Sequence, residues 1–146
     1  AGTLSRRLAT LGASALVEAI SLLGAGLERP QPQDDSAATY APKVSRELAR
    51  LDWTRDAQTL ERQVRAFDPA PGAWTTLDAA PVKLFAATPA VGSGTPGSVL
   101  AATDRLVIAC GNGALAVREV QPAGKTRLAV GDWVRGRGIS AGRQFE

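Results

Sequence analysis

The first part of the chain has apolar residues at helical spacing. They recur every three or four positions between Thr3 and Leu23, which predicts a helix over this range with Thr3 as its N-terminal cap. Gly12 is a point at which this helix could divide into two shorter ones. The apolar stripe needs a partner surface, because such a helix is stabilised mainly by packing. Its members are Leu4, Leu8, Leu11, Ala15 and Ala19.

The apolar pattern stops between Glu28 and Pro42. This stretch, ERPQPQDDSAATYAP, contains three prolines and two aspartates, and few of its residues could be buried. Proline-rich polar segments stay extended and act as spacers. The sequence therefore predicts an extended interdomain linker over residues 28–42, a helical segment over residues 1–27 before it, and a separate domain over residues 43–146 after it.

A second helix is predicted from Thr54, as its cap, to Phe67. The segment DPAPG follows directly and ends it, because the residue before a proline disfavours the helical conformation. At 100° per residue the helix has an apolar and a basic face. The apolar face consists of Ala57, Leu60, Val64 and Phe67, and the opposite face of Arg55, Gln58, Arg62 and Arg65.

Five short apolar runs make up most of the remaining chain. Turn sequences such as VGSGTPGS and GNG separate them, as between strands. Short strands with glycine-rich turns predict a mainly β fold, here an open barrel of the oligonucleotide-binding (OB) type with flanking helices. A last short helix is expected from Ala129 to about Arg135. The runs are Ala73–Leu77, Pro81–Ala87, Val99–Ala102, Leu106–Cys110 and Ala114–Gln121.

Charge is unevenly distributed along the chain. There are 17 basic and 14 acidic residues, which gives a formal net charge of +3. From Arg105 to Phe145, however, seven Lys or Arg residues stand against only Glu119 and Asp132. A basic segment of this kind suits contact with phosphate groups, although many solvated surfaces have the same composition.

Residue types that carry catalysis are scarce. The chain has no histidine, which removes the commonest general base and metal ligand. Its single cysteine, Cys110, excludes an intrachain disulfide and a cysteine-based zinc site, and its place in the run LVIAC predicts a buried, unreactive thiol. The GSGTPG segment has the glycines of a dinucleotide-binding loop, but Pro96 would interrupt the helix that should follow. The sequence therefore predicts no catalytic residue, cofactor or metal in this chain.

The uninterrupted apolar runs are far shorter than the roughly 18 residues of a membrane span. No signal peptide is recognisable either. The sequence predicts a cytoplasmic protein without a membrane partner.

Three groups of cations are candidates for binding a polyanion. Each residue taken alone is more often a solvated surface cation, but their concentration on a predicted OB-type barrel favours nucleic acid as the partner. Three tryptophans, Trp53, Trp74 and Trp133, could stack on bases, although their apolar neighbours favour core packing. The cations are Lys43, Arg46 and Arg50 just after the linker, Arg55, Arg62 and Arg65 on the second helix, and Lys125 and Arg127 in the turn QPAGKTR.

Several long segments carry a resemblance to a known family. The segments are ATYAPKVSRELARLDW from Ala38 to Trp53, LERQVRAFDPAPGAW from Leu60 to Trp74, PVKLFAA, and QPAGK. In this order they resemble the methionyl-tRNA formyltransferases, and the resemblance covers the whole chain. It implies that residues 1–27 are the last helices of an N-terminal, Rossmann-like catalytic domain and that residues 43–146 are the tRNA-binding domain.

The resemblance also implies an activity for the intact protein. Members transfer a formyl group from 10-formyltetrahydrofolate to the amino group of methionyl initiator tRNA. The folate site and an Asn–His–Asp set lie in the N-terminal domain, so the present chain alone is expected to be an inactive monomer that binds initiator tRNA and its own catalytic domain. Lys43 and Lys125 fall on lysines of the family pattern, whereas Thr126 replaces a second lysine that is frequent after the turn.

Two other classes of protein remain open at this point. One is the structural C-terminal domain of a small-molecule formyltransferase acting on sugar nucleotides or folate, in which the cations would be ordinary surface. These relatives also resemble the segment DPAPGAW, in which Ala70 replaces a tryptophan common between the two prolines, a minor difference. The turn QPAGK favours the tRNA-modifying branch, because small substrates offer no polyanion there. The other is a free-standing RNA-binding barrel, which the unpartnered N-terminal helix disfavours.

Overall fold

A computed structural model of the chain describes residues 1–137 and 139–146. The chain divides into two compact units, residues 1–43 and residues 44–146. The first unit contains helix α1 (Gly2–Ala25) and a turn of 3-10 helix (Asp35–Ala37). The second contains, in chain order, a 3-10 turn (Glu47–Ala49), α2 (Ala57–Phe67), β1 (Trp74–Leu77), β2 (Ala80–Ala90), β3 (Val99–Ala102), β4 (Leu106–Ala109), β5 (Ala114–Pro122), β6 (Leu128–Ala129) and α3 (Val130–Arg137).

The N-terminal helix is continuous, which corrects two predictions. Thr3 does not cap it, because α1 begins at Gly2 after Ala1 and has no side-chain cap hydrogen bond. Gly12 does not divide it either, since a glycine inside a helix costs only about 1 kcal/mol relative to alanine. The helix ends at Ala25, and the φ of 67° at Gly26 allows the Gly26 N–H to donate to the carbonyl oxygens of Leu22 and Leu23.

Helix α1 is long and apolar enough, by length and composition, to cross a membrane. The sequence prediction missed this because it counted only uninterrupted apolar runs, whereas isolated small polar residues do not prevent a helix from spanning. A core helix of a soluble protein meets the same criteria. The composition of α1 therefore does not by itself assign it to a membrane.

The predicted linker is not extended throughout. Asp34 accepts hydrogen bonds from the backbone N–H and the hydroxyl group of Ser36, at 3.0 and 2.6 Å. These bonds fold residues 35–37 into a single turn of 3-10 helix, because an aspartate side chain readily caps the backbone two residues on.

The second unit is built on one antiparallel sheet that curls into a half-barrel, which confirms the predicted open OB-like barrel with flanking helices. The strand order is β1-β2-β5-β4-β3, and β6 pairs with β5. The long strands β2 and β5 form its centre. Strand β6 was not predicted, because two residues are too few to show an alternating pattern and its pairing with Glu119 and Val120 is long-range.

The core lies on one side of this sheet. Alternate residues of the strands, such as Val82 and Leu84 of β2, join Leu60 and Val64 of α2 in a single apolar cluster. Trp53 and Trp133 belong to it, as predicted, and the indole N–H of Trp53 donates to the Thr75 hydroxyl at 2.9 Å. Trp74 does not, because its strand position points it to the opposite face, where it is half-buried.

Helix α2 begins later than predicted. Its cap is Asp56, which accepts hydrogen bonds from the Thr59 hydroxyl and backbone N–H. These bonds hold the pKa of Asp56 below its ordinary value, and the bond from the Thr59 hydroxyl has the larger effect. Thr54 is not available as a cap, because its hydroxyl donates to Asp52 at 2.7 Å. The β4–β5 loop contacts the segment just before α2, where the Gly111 N–H donates to the carbonyl oxygens of Trp53 and Arg55.

Candidate nucleic-acid interface

A row of side chains crosses three strands on the face opposite the core. Trp74 of β1 is directly opposite Lys83 of β2, and Lys83 is directly opposite Gln121 of β5. Residues paired in this way project their side chains to the same side, with Cβ atoms about 5 Å apart. The register therefore places an aromatic ring, an ammonium group and an amide next to one another.

Two arginines lie against the Trp74 ring. The guanidinium carbon of Arg46 is 4.9 Å from the ring centroid and that of Arg50 is 5.6 Å away, both within cation–π range. The backbone fixes this arrangement. The indole N–H of Trp74 donates to the Arg46 carbonyl at 2.8 Å, and the N–H of Leu51 donates to the Trp74 carbonyl, also at 2.8 Å. In addition, the Gln63 amide donates to the carbonyls of Leu48 and Arg50.

A groove of about 510 Å³ opens beside this row. Cationic side chains lie among apolar ones in its lining, and none of the lining residues that the structure describes is acidic. We call it the Trp74 groove. Its lining consists of Arg46, Ala70, Pro71, Trp74, Pro81, Lys83, Gln121, Pro122, Ala123 and Gly124.

The turn after β5 forms one wall of the Trp74 groove. The Gln121 side-chain amide donates to the Lys125 carbonyl at 2.9 Å, and the Lys125 N–H donates to the Pro122 carbonyl at 3.1 Å. Gly124 has a φ of 70°, a conformation in which side chains are rare. This geometry exposes the Lys125 side chain, which has no ion pair with a described carboxylate.

Arg127 is placed differently from Lys125. Its guanidinium group donates to Asp68 at 2.9 and 3.4 Å and to Glu119, and it stacks over the Phe85 ring at 4.0 Å. Burial opposes its charge, but the hydrogen bonds that it donates to Asp68 and Glu119 outweigh burial and raise the pKa of Arg127. Two carboxylates thus already offset this one cation.

The remaining predicted cations do not line the Trp74 groove. Arg65 forms an ion pair with Glu61 at 3.5 Å, and Arg55 and Arg62 are exposed elsewhere. Lys43 belongs to the first unit. Conversely, the sequence interpretation missed Lys83 as a candidate. The alternation in PVKLF places Lys83 opposite the core residues Val82 and Leu84, which was a usable signal.

The structure offers no support for catalysis by Cys110. The thiol is buried, and desolvation, followed by the charge of Asp56, raises its pKa to about 11 from an ordinary 9.0. Because only the thiolate reacts, a shift of this size lowers the reactive fraction about 100-fold at neutral pH.

We therefore expect a thiol reagent at pH 8 to modify Cys110 at least about 100-fold more slowly in the folded chain than in urea. The time course of the mass increase measures both rates. Similar rates in the two conditions would contradict the burial of this thiol.

The fold and the groove define a class of protein: an OB-like half-barrel with a cationic groove on its outer face. Among the described residues, no group of His, Cys, Asp and Glu could hold a metal ion. The chain belongs to the formyl transferase C-terminal domain family, whose model matches residues 43–138. This confirms the resemblance seen in the sequence.

Similar proteins extend the match to almost the whole chain. Methionyl-tRNA formyltransferase of Aromatoleum aromaticum is 44% identical over 146 residues, which cover 99% of this chain and 46% of the relative. Methionyl-tRNA formyltransferase of Pseudomonas paraeruginosa is 50% identical over 137 residues, covering 93% and 44%. The chain thus spans about half the length of the curated relatives it matches.

Crystal structures of HypX from Aquifex aeolicus have a similar fold. A multiply substituted variant matches with a TM-score of 0.69 and 31% identity, over 84% of this chain and 23% of HypX. The complex of HypX with tetrahydrofolic acid matches with a TM-score of 0.68 and 30% identity, over 83% and 22%.

Proposed function

We propose that this chain is the C-terminal, tRNA-binding part of a methionyl-tRNA formyltransferase. The longer protein would transfer a formyl group from 10-formyltetrahydrofolate to the amino group of methionyl initiator tRNA, as a monomer in the cytoplasm. The relatives of that name align with nearly all of this chain but with less than half of their own length. The chemistry would therefore take place in the other half, and this chain would hold the tRNA.

The observation that carries the proposal is the cationic groove next to the exposed Lys125 turn. Arg46, Lys83 and Lys125 have no ion pair with a described carboxylate, so their charges remain available to an external anion. The phosphates of tRNA supply such an anion, and phosphate contacts position a nucleic acid without reading its sequence. The proposed contact set comprises Lys43, Arg46, Arg50, Arg55, Arg62, Arg65 and Lys125, and Arg127 is expected to contribute little because Asp68 and Glu119 already offset its charge.

Helix α1 has a place in the same proposal. Its large apolar side chains are 40–67% exposed, and contiguous exposed apolar surface marks an interaction site. The alignments with the longer relatives include this helix. We propose that α1 packs against the catalytic domain of the same protein, which would precede it in the sequence.

The test is binding of this chain to initiator tRNA over a salt series, with an elongator tRNA in parallel. We expect affinity to fall with salt, and to be similar for both tRNAs, because backbone contacts carry little sequence information. An absence of binding at low salt would contradict the proposal and favour a small-molecule formyltransferase.

Replacing Lys125 by glutamine should lower the slope of log K against log salt by about 0.7–0.9, the contribution of one phosphate contact. Replacing both Lys125 and Arg127 should lower it by little more, because Arg127 is already paired with Asp68 and Glu119. Arg105→Gln is the matched control, because Arg105 is exposed and lies outside the Trp74 groove. An equal slope in the Lys125 variant and the control would remove Lys125 from the contact set.

A further inference from the structure

We propose that the Trp74 groove binds one phosphate group of the RNA backbone, held between Arg46 and Lys83, and that Trp74 is the positioning residue that acts through Arg46. This inference rests on the proposed tRNA binding. It adds to that function a defined subsite and two residues, Lys83 and Trp74, that the cationic pattern of the sequence does not indicate.

The stem of the Lys83 side chain is packed in place, which leaves its ammonium group free to bind an anion in the groove. A Cβ atom added to Gly72 would lie 2.7 Å from Cδ of Lys83, so the aliphatic part of this side chain packs closely on the Gly72 backbone. The row partners Trp74 and Gln121 flank it on both sides. Packing of the stem leaves the charged end as the free part of the side chain. No described carboxylate forms an ion pair with it.

Arg46 is ordered before any ligand arrives. Its carbonyl accepts the indole N–H of Trp74, and its guanidinium group lies over the same ring. The stacked guanidinium has no ion pair with a described carboxylate, so its N–H donors can meet a ligand. A side chain that is already restricted loses less conformational freedom on binding. The ring therefore favours binding without touching the phosphate.

The lining matches a phosphodiester better than a carboxylate or a neutral ligand. A guanidinium group and an ammonium group on the walls suit a tetrahedral anion with several acceptor oxygens. Three prolines make up much of the remaining lining and can lie against the sugar beside that phosphate, and Gln121 contributes a polar amide. No described lining residue is acidic, so no carboxylate in the described lining repels the anion.

The first test measures the salt slope of initiator tRNA binding for Lys83→Met and Arg46→Gln. Methionine keeps the packing of the Lys83 stem on Gly72 and removes only the charge. We expect each variant to lower the slope by about 0.7–0.9, and the control Arg105→Gln to leave it unchanged. Slopes of both groove variants equal to that of the control would overturn the phosphate site.

The second test addresses Trp74 by a double-mutant cycle. Trp74→Ala should weaken tRNA binding about 3- to 10-fold, whereas Trp74→Phe should recover part of the affinity, because it keeps a ring under the guanidinium but lacks the indole N–H that donates to the Arg46 carbonyl. In an Arg46→Gln background Trp74→Ala should have little further effect, because the residue through which Trp74 acts is gone. Full additivity of the two changes, or no recovery by phenylalanine, would overturn the positioning role. Circular dichroism checks that each variant is folded.

The outcomes separate this inference from the function on which it rests. If the unsubstituted chain does not bind tRNA, the proposed function fails, and the groove proposal fails with it. If the chain binds tRNA and the indole N–H signal of Trp74 does not shift in an NMR titration, only the groove proposal fails. We expect that signal to shift, and that of Trp53, which is bound to Thr75 in the core, to stay in place.

Discussion

Replacing Gly111 by alanine should lower the free energy of unfolding of the second unit by about 2–5 kcal/mol. An added Cβ would overlap the carbonyl oxygen of Thr54 and lie 2.6 Å from its carbonyl carbon. The overlap is with backbone and cannot be relieved by rotating a side chain. Moving the two backbone segments apart would also break the hydrogen bonds from the Gly111 N–H to the carbonyl oxygens of Trp53 and Arg55. Such a loss is a large part of the roughly 5–15 kcal/mol that stabilises a typical domain.

Urea unfolding followed by tryptophan fluorescence measures this effect, because Trp53 and Trp133 are buried. Gly136→Ala in α3 is the matched control. Its added Cβ would meet nothing within 4 Å, so the substitution should be neutral or stabilise by up to about 1 kcal/mol through helix propensity. If the two variants unfold at the same urea concentration, the close approach of Gly111 to Thr54 is wrong.

Phe85→Ala is expected to cost about 3–5 kcal/mol, as is usual for deleting a buried aromatic ring. Phe85 is only 2% exposed, yet it lies outside the main apolar cluster. What covers it is the Arg127 guanidinium group, together with the Gly72 backbone, where an added Cβ would come within 3.2 Å of the ring. Removal of the ring would leave a cavity beneath the Asp68–Arg127–Glu119 network.

The control for this prediction is Phe85→Leu, which retains most of the apolar volume and loses the stacking with Arg127. We expect it to cost about 1–2 kcal/mol, from imperfect packing and the lost cation–π contact. Thermal unfolding of the two variants gives the comparison. An alanine variant no less stable than the leucine variant would show that Phe85 is not covered in this way.

The position of Phe85 also shows how the face of the sheet opposite the core is arranged. Phe85 and Glu119 are directly opposite each other in β2 and β5, one row beyond Lys83 and Gln121. In the row of Phe85 and Glu119, Arg127 pairs with the carboxylates of Asp68 and Glu119 and covers the Phe85 ring. In the row of Lys83 and Gln121, Lys83 has no described carboxylate partner. One row on this face therefore stabilises the fold, and the row next to it, in our proposal, binds RNA.

Much of the secondary structure was predictable from sequence, because it depends on neighbours a few residues away. Strand β3 has the predicted bounds, Val99–Ala102, since a short apolar run between turn residues defines it locally. The start of α2 was predicted wrongly, at Thr54, because two cap-forming residues compete there. Asp56 caps the helix, while Asp52 binds the Thr54 hydroxyl. Only the three-dimensional position of these side chains decides between them.

The candidate site was predictable only in part. The exposed Lys125 turn is visible in the sequence as a proline–glycine turn with a lysine. Arg127 looks equivalent to Lys125, but its partner Asp68 is 59 residues away in the chain, and no local pattern reveals this pairing. Trp74 looked like a core residue, and only its register opposite Lys83 places it on the outer face.

The sequence by itself determined the helices, most of the strands, the family and the excess of basic charge in the final segment. It also excluded histidine chemistry, because the chain contains no histidine. The tertiary structure decided which cations lie together in the Trp74 groove. Lys83 pairs with Gln121 of β5, a strand distant in the chain, and it pairs with Trp74 across the short turn between β1 and β2. Local patterns fix an element because its stabilising contacts are local, whereas the register between strands depends on the packing of the whole sheet.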